Sequence, residues 1–155
     1  MSNADAPGGS NQREGLRLVV RRRILATPER LFDAWTDPQQ LLRWWGPGSV
    51  ECVGAEVDLR VSGRYRIGNR FPDGRVAWIS GEFLSIDRPR ELVYTWRLDA
   101  PAESGFERVS VRFEARDGAT DVIVTHERVR DDAARRGHEQ GWIGCLDGLA
   151  AYLRS

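Results

Sequence analysis

Residues 132–154 read DAARRGHEQGWIGCLDGLAAYLR, and this proline-free stretch predicts one amphipathic helix at the end of the chain, about six turns long. Asp131 stands directly before it as a candidate N-cap residue. Because a helix with a single apolar stripe must bury that stripe against another layer, we expect this helix to lie across a β-sheet. The stripe consists of Trp142, Leu146, Leu149 and Leu153, with Arg136, Asp147 and Arg154 on the opposite side.

A band of glycines runs beside the apolar stripe of this helix: Gly137, Gly141, Gly144 and Gly148. Their spacing of four, three and four residues places them on one side of the helix. Each glycine inside a helix costs about 1 kcal/mol relative to alanine, so we expect a compensating gain. Either the helix backbone closely approaches a neighbour, or the missing side chains leave room for a ligand. Three further residues of this helix point between the band and the stripe: His138, Cys145 and Tyr152.

The beginning of the chain predicts one strand and two short helices. Apolar residues alternate over residues 16–24, as in a half-buried strand. Thr27-Pro28 and Asp37-Pro38 each place a capping oxygen before a proline that suits the first helical position. We therefore expect helices over residues 28–35 and from Pro38 to Gly46, where glycine suits a left-handed cap.

The middle of the chain alternates between strand-like segments and turns. Short turns at 72–74, 87–89 and 117–118 are typical of links between antiparallel neighbours, and residues 99–105 form a longer loop. We predict an α+β domain with a six-stranded meander and the first strand added at an edge or closing the curve. The predicted strands are 50–59, 63–70, 76–86, 91–98, 107–115 and 120–128.

Length and composition restrict the function. The 155 residues fit one domain, which we place at residues 16–155 behind a disordered tail at 1–15. The 23 basic and 23 acidic residues cancel, which argues against nucleic acid as a partner. No apolar run approaches the about 20 residues that span a bilayer, so no membrane insertion is expected. Two distant cysteines, Cys52 and Cys145, indicate neither a disulfide nor a zinc site and suit the cytoplasm.

Aromatic residues are concentrated on the two short helices and the strands, which predicts an apolar binding cavity beside the last helix. Trp44 and Trp45 are placed to form its rim. Strand parity puts Tyr65 and Ile67 on one face of their strand, and Tyr94, Trp96 and Leu98 on one face of theirs. Polar contacts would come from Tyr65, Tyr94, His126 or His138. The predicted ligand-binding residues are Trp44, Trp45, Tyr65, Ile67, Trp78, Tyr94, Trp96, His126, His138, Gly141, Trp142 and Cys145.

Evidence for catalysis is weaker. His126 is in phase with apolar residues of the last strand, a pattern more typical of a hydrogen-bonded structural histidine than of a base. His138, with Glu82 or Glu127, would be needed to complete a proton shuttle. The sequence has no GxSxG, HExxH, Walker or GxGxxG motif and no metal-ligand spacing. We therefore predict no catalytic residue, no metal and no cofactor.

Several ordered segments resemble a known family. Residues 27–38, TPERLFDAWTDP, followed by 42–47, LRWWGP, resemble the opening of the family related to the C-terminal domain of the activator of heat-shock-protein-90 ATPase. The resemblance covers residues 16–153 and departs at Ser62, where the family often has glycine. Similar segments follow at 58–65, 73–74, 81–83, 125–127 and 141–149.

This resemblance implies the helix-grip fold of the START-like, Bet v 1-like (SRPBCC) superfamily. Its members include proteins that bind small hydrophobic molecules, proteins that resemble co-chaperones, and related aromatic polyketide cyclases. Three functions therefore stay open. The first is non-catalytic binding of a small hydrophobic or aromatic molecule; the second is a protein-interaction module, as a homodimer or a chaperone regulator; the third is a cyclase-like enzyme using His126 or His138.

Overall fold

The computed structural model describes residues 15–46, 48–99 and 106–154. Every predicted helix and strand is present, with ends within two residues of those expected. The predicted tail, except Gly15, and most of the predicted loop at 99–105 lie outside the described residues. In chain order the elements are β1 (Leu16–Ile24), α1 (Pro28–Thr36), α2 (Pro38–Trp44), β2 (Glu51–Val57), β3 (Arg64–Arg70), β4 (Val76–Asp87), β5 (Glu91–Leu98), β6 (Glu107–Arg116), β7 (Ala119–Val129) and α3 (Asp132–Arg154).

The strands form one antiparallel sheet with the order β1-β7-β6-β5-β4-β3-β2. Six consecutive strands make the predicted meander, and β1 is added at its edge by pairing with β7, where Val20 lies opposite Val124. The pairing of β4 with β5 shifts register between Phe83 and Ser85, a type of irregularity that bends a strand. The result is a curved sheet with a long C-terminal helix, which confirms the α+β helix-grip fold.

The two short helices begin at the predicted caps. The Thr27 hydroxyl accepts a hydrogen bond from the Arg30 backbone amide at 3.1 Å, and the Asp37 carboxylate accepts one from the Gln39 amide at 3.0 Å. Each cap satisfies an amide that the helix itself leaves without a partner. Helix α1 packs against β6 and α2 against β2, so both helices close one side of the inner face of the sheet.

Helix α3 is preceded by Asp131, whose carboxylate accepts a hydrogen bond from the Ala134 amide at 2.9 Å. The four residues of the predicted stripe are buried, and the helix packs against β1, β7 and α2. An ion pair between Arg22 of β1 and Asp147 adds an exposed link. None of the helices in the described segments has the length and apolar character needed to cross a membrane.

The two ends of the glycine band have different surroundings. A Cβ atom on Gly148 would lie 3.0 Å from the Trp44 carbonyl oxygen, so this glycine allows α3 to approach the end of α2 closely. Cβ atoms on Gly137 and Gly141 would meet no other atom within 4 Å. Close packing therefore explains one end of the band, and the other end faces open space.

We predict opposite effects of alanine at the two ends of the band. Gly137→Ala should raise the free energy of unfolding by roughly 0.5–1 kcal/mol, because alanine favours the helix and its methyl group has room. Gly148→Ala should give no gain or a loss, because its methyl group would push against the Trp44 carbonyl oxygen. Urea unfolding of both variants measures the difference, and equal gains would contradict this account of the band.

Candidate functional site

A pocket of about 210 Å³ lies between the inner face of the sheet and the N-terminal half of α3. Gly137 and Gly141 form part of its wall, so the space beside these glycines belongs to the pocket. A second, much narrower void of about 20 Å³ shares Trp45, Ile79 and Trp96 with it. The site is thus a pocket with a small neighbouring void, which we call its extension because the two share lining residues.

The structure brings most of the predicted ligand-binding residues to this space. Nine of the twelve line the pocket or its extension, and His126 lies behind the pocket wall, within contact of Trp96 and Trp142. The pocket is lined by Trp45, Trp96, His138, Gly141, Trp142 and Cys145. The extension adds Tyr65, Ile67 and Tyr94.

Two predicted residues, Trp44 and Trp78, lie elsewhere. Trp44 is buried in the core, where its indole N–H donates to the Ala34 carbonyl at 2.8 Å, so it forms no rim. Trp78 alternates with the pocket residue Ile79 along β4 and lies on the other face of the sheet, beneath the Arg66 guanidinium at 4.0 Å. Strand alternation therefore excludes Trp78 from the pocket.

Several pocket residues on β3, β4 and the segments beside them were not predicted from the sequence, and neither was the place of Gly137 in the pocket wall. Asn69 and Phe71 continue the alternation begun by Tyr65 and Ile67, so strand parity could have identified them. Tyr152 packs against the core without lining the pocket, and its hydroxyl donates to Gln40 at 3.0 Å. The other residues missed are Val50, Ala77 and Ile79, whereas Leu98 was already placed on the same face as Tyr94 and Trp96.

Beside the pocket, two histidines converge on one carboxylate. His126 Nε2 lies 2.7 Å from Glu107 Oε1, and His138 Nε2 lies 3.0 Å from the same oxygen. The two imidazole rings stack with centroids 4.4 Å apart, and the Trp96 ring makes a T-shaped contact with each of them. The Trp142 indole N–H completes the cluster by donating to His126 Nδ1 at 2.9 Å. We call Glu107, His126, His138 and Trp142 the histidine cluster.

The bond from Trp142 determines the protonation of His126. An indole nitrogen can only donate, so Nδ1 of His126 must accept and carries no proton. The ring proton of the neutral imidazole is therefore on Nε2, from which it is donated to Glu107. His126 is fully buried and both of its nitrogens are engaged in hydrogen bonds, which agrees with its place in an apolar alternation.

The pKa values within the histidine cluster follow from burial and hydrogen bonding. Burial of the Glu107 carboxyl alone would raise its pKa, but hydrogen bonds from His126 and His138 outweigh burial and lower the pKa to about 2. Burial lowers the pKa of His126, although the bond to Glu107 opposes this. An ionised Glu107 beside a neutral His126 is therefore the stable state near neutral pH.

Glu107, and not the expected Glu82 or Glu127, is the carboxylate that serves the histidines. Glu127 instead approaches Arg17 and Arg108 at 3.9 and 4.0 Å. Glu107 shares the strand parity of the buried residues Val109, Val111 and Phe113 of β6. A carboxylate in phase with a buried apolar run was the sequence signal that could have identified it.

The side chains of Glu107, His126 and His138 are also of the types that bind metal ions, and their ligand atoms lie within 4.8 Å of one another. A metal ion binds a histidine nitrogen through its lone pair. Because His126 Nδ1 accepts from Trp142, the ring proton is on Nε2, and Nε2 has no free lone pair for a metal ion. The hydrogen-bond pattern therefore fits these residues better than metal coordination does.

The other polar groups around the pocket are mostly neutral or already engaged. The Tyr65 hydroxyl donates to the Thr95 carbonyl at 2.6 Å, and burial raises its pKa. Burial also raises the pKa of Tyr94, whose hydroxyl accepts from Trp35, and raises the pKa of the Cys145 thiol to about 12. His138 and Asn69 therefore remain as the main polar groups for a molecule in the pocket.

The histidine cluster predicts a specific loss of stability in acid. The pKa of His126 is lower in the folded protein than its usual value of 6.5. As the pH falls below about 6.5, the unfolded chain therefore binds a proton that the folded protein does not, and the free energy of unfolding declines. The contribution of Glu107 is complete above about pH 4.5 and is lost as the pH falls toward 2. This second loss amounts to roughly 3 kcal/mol at most.

Urea unfolding at several pH values tests this prediction. In Glu107→Gln the decline between about pH 4.5 and 2 should be smaller by the part that Glu107 contributes, while the parts from Asp99, Asp121 and Asp131, whose pKa values are also lowered, remain. Glu139→Gln, a change at an exposed residue of the same helix as His138, is the matched control and should retain the decline of the unmodified chain. An unchanged acid limb in Glu107→Gln would refute the assigned role of this carboxylate.

Comparison with known proteins agrees with this architecture. A family model described as "Activator of Hsp90 ATPase homolog 1-like protein" matches residues 25–154. The search of curated proteins found no match. Among solved structures, the AHSA1 protein from Silicibacter pomeroyi is 26% identical, with a TM-score of 0.80, covering 90% of this chain and 98% of that one.

Two other solved structures are similar at the same level of identity. A protein from Chromobacterium violaceum is 26% identical, with a TM-score of 0.77 and coverage of 88% of this chain and 96% of that one. An HSP90 activator from Plasmodium falciparum is 26% identical, with a TM-score of 0.69 and coverage of 90% of this chain and 96% of that one. The family match spans most of the chain, which therefore belongs to the family of activator of Hsp90 ATPase homolog 1-like proteins.

Proposed function

We propose that the protein binds one small, neutral, aromatic or otherwise apolar molecule in the pocket beside α3, without chemical conversion. The observation that carries this proposal is the open space beside Gly137 and Gly141. Glycine inside a helix is unfavourable, and neither residue gains a packing contact in return. Room for a ligand supplies the missing reason for both glycines.

The size and walls of the pocket define the ligand. Drug-sized ligands occupy pockets of roughly 300–1,000 Å³, whereas an apolar cavity of roughly 150 Å³ accepts benzene. At about 210 Å³ this pocket suits a molecule of one or two rings. Trp45, Trp96 and Trp142 offer ring faces and edges to such a molecule.

We further propose that this binding takes place in the cytoplasm. Cys52 and Cys145 are both free thiols. Cysteines of secreted proteins are usually oxidised to disulfides, whereas the cytoplasm keeps thiols reduced.

Naphthalene is a suitable probe, because its two fused rings match the volume and apolar character of the pocket. We expect isothermal titration calorimetry to show one site per chain. Gly141→Leu should reduce the affinity at least tenfold, because the leucine side chain would fill the open space beside residue 141.

Ile143→Ala is the control, since Ile143 is exposed on the same helix and does not line the pocket. Thermal unfolding should show that Gly141→Leu remains folded, because replacing this glycine removes a helix-destabilising residue. No binding by the unmodified chain, or unchanged binding by Gly141→Leu, would refute the proposed function.

Regulation of a chaperone ATPase is the second candidate function. The family match and the similarity to the Plasmodium falciparum HSP90 activator favour it. The measurement is the ATPase rate of an Hsp90 chaperone with and without this protein. If regulation is the function, the rate should change at least twofold, and Gly141→Leu should act as strongly as the unmodified chain because the pocket is not needed.

A further inference from the structure

We infer that the ligand is a hydroxylated aromatic molecule, a phenol or an enol, whose O–H donates a hydrogen bond to His138 Nδ1. This inference rests on the proposed binding function and specifies the chemical class of the ligand. His138 lines the pocket and retains 21% of its side-chain exposure, so a molecule in the pocket can reach it.

Glu107 determines which nitrogen of His138 meets the ligand. His138 Nε2 lies 3.0 Å from Glu107 Oε1, and this carboxylate is ionised because its pKa is about 2. A carboxylate only accepts hydrogen bonds, so Nε2 must carry the proton. In the neutral ring Nδ1 is then an acceptor. No donor among the described residues forms a hydrogen bond with it.

His126 cannot offer the same contact. Its Nδ1 accepts from Trp142 and its Nε2 donates to Glu107, and the ring is fully buried. The two stacked histidines therefore have different roles: His126 and Trp142 hold Glu107 in place, and His138 presents an acceptor to the pocket. His138 would contact the ligand directly, and Glu107 would act as a positioning residue.

The charge of the cluster favours a neutral hydroxyl over an anionic group. No arginine lines the pocket in the described part of the chain, and the negative carboxylate of Glu107 lies 3.0 Å from the pocket residue His138. A bound carboxylate or phosphate would be an unpaired charge among aromatic walls, which is strongly unfavourable. A phenolic hydroxyl brings a donor without a charge.

Asn69 adds a second polar contact on the opposite, strand side of the pocket. Its side-chain oxygen accepts from the Trp45 indole N–H at 3.0 Å, and the residue is buried. The amide nitrogen is then the remaining donor of this side chain. A ring hydroxyl at His138 and an acceptor atom near Asn69 would together orient a flat ligand.

The experiment compares β-naphthol with naphthalene by calorimetry at about pH 8, above the usual titration range of histidine. One added hydrogen bond predicts that the naphthol binds roughly threefold to tenfold more tightly. His138→Phe should abolish this preference while naphthalene still binds, and His138→Asn, which keeps a polar group near the position of Nδ1, should restore part of it. Glu107→Gln should weaken the preference without abolishing naphthalene binding.

The outcomes separate this inference from the proposed function. If naphthalene and the naphthol both fail to bind, both proposals are overturned. If naphthalene binds but the naphthol has no advantage, or the advantage persists in His138→Phe, only the inference about the hydroxyl is overturned. Tighter binding of β-naphthoate than of β-naphthol would likewise overturn it, because the pocket would then favour an anion.

Discussion

The packing of α3 against the sheet is the constraint on which the rest of the structure depends. Leu146, Leu149 and Leu153 press the C-terminal half of the helix onto the core, and Gly148 allows it to meet the end of α2 at van der Waals distance. The N-terminal half has no such anchor beside Gly137 and Gly141. One helix therefore closes the core with one half and borders a pocket with the other.

The histidine cluster links this helix to the sheet by polar contacts. Trp142 and His138 belong to α3, His126 to β7 and Glu107 to β6, so the hydrogen bonds cross from helix to strands at the edge of the pocket. Because these groups are buried or half-buried, each bond is costly to leave unmade. The cluster thereby fixes the position of the pocket wall as well as its polar character.

Sequence patterns predicted the fold well because period, caps and turns are local. Thr27, Asp37 and Asp131 identified the three helix starts, and alternation identified the strands. The pocket was harder to predict, because which strand face points inward depends on how the whole sheet curves. That ambiguity placed Trp78 in the pocket. Glu107 was not identified as the histidine partner, although it lies on the hairpin neighbour of the His126 strand and shares the parity of the buried residues of that strand.

If the space beside Gly141 receives an aromatic ring, a crystal soaked with bromonaphthalene should show one anomalous bromine peak within the pocket, between Gly141 and Trp96. Bromine bound only on the surface, or α3 collapsed onto the strands with no ligand density, would contradict it.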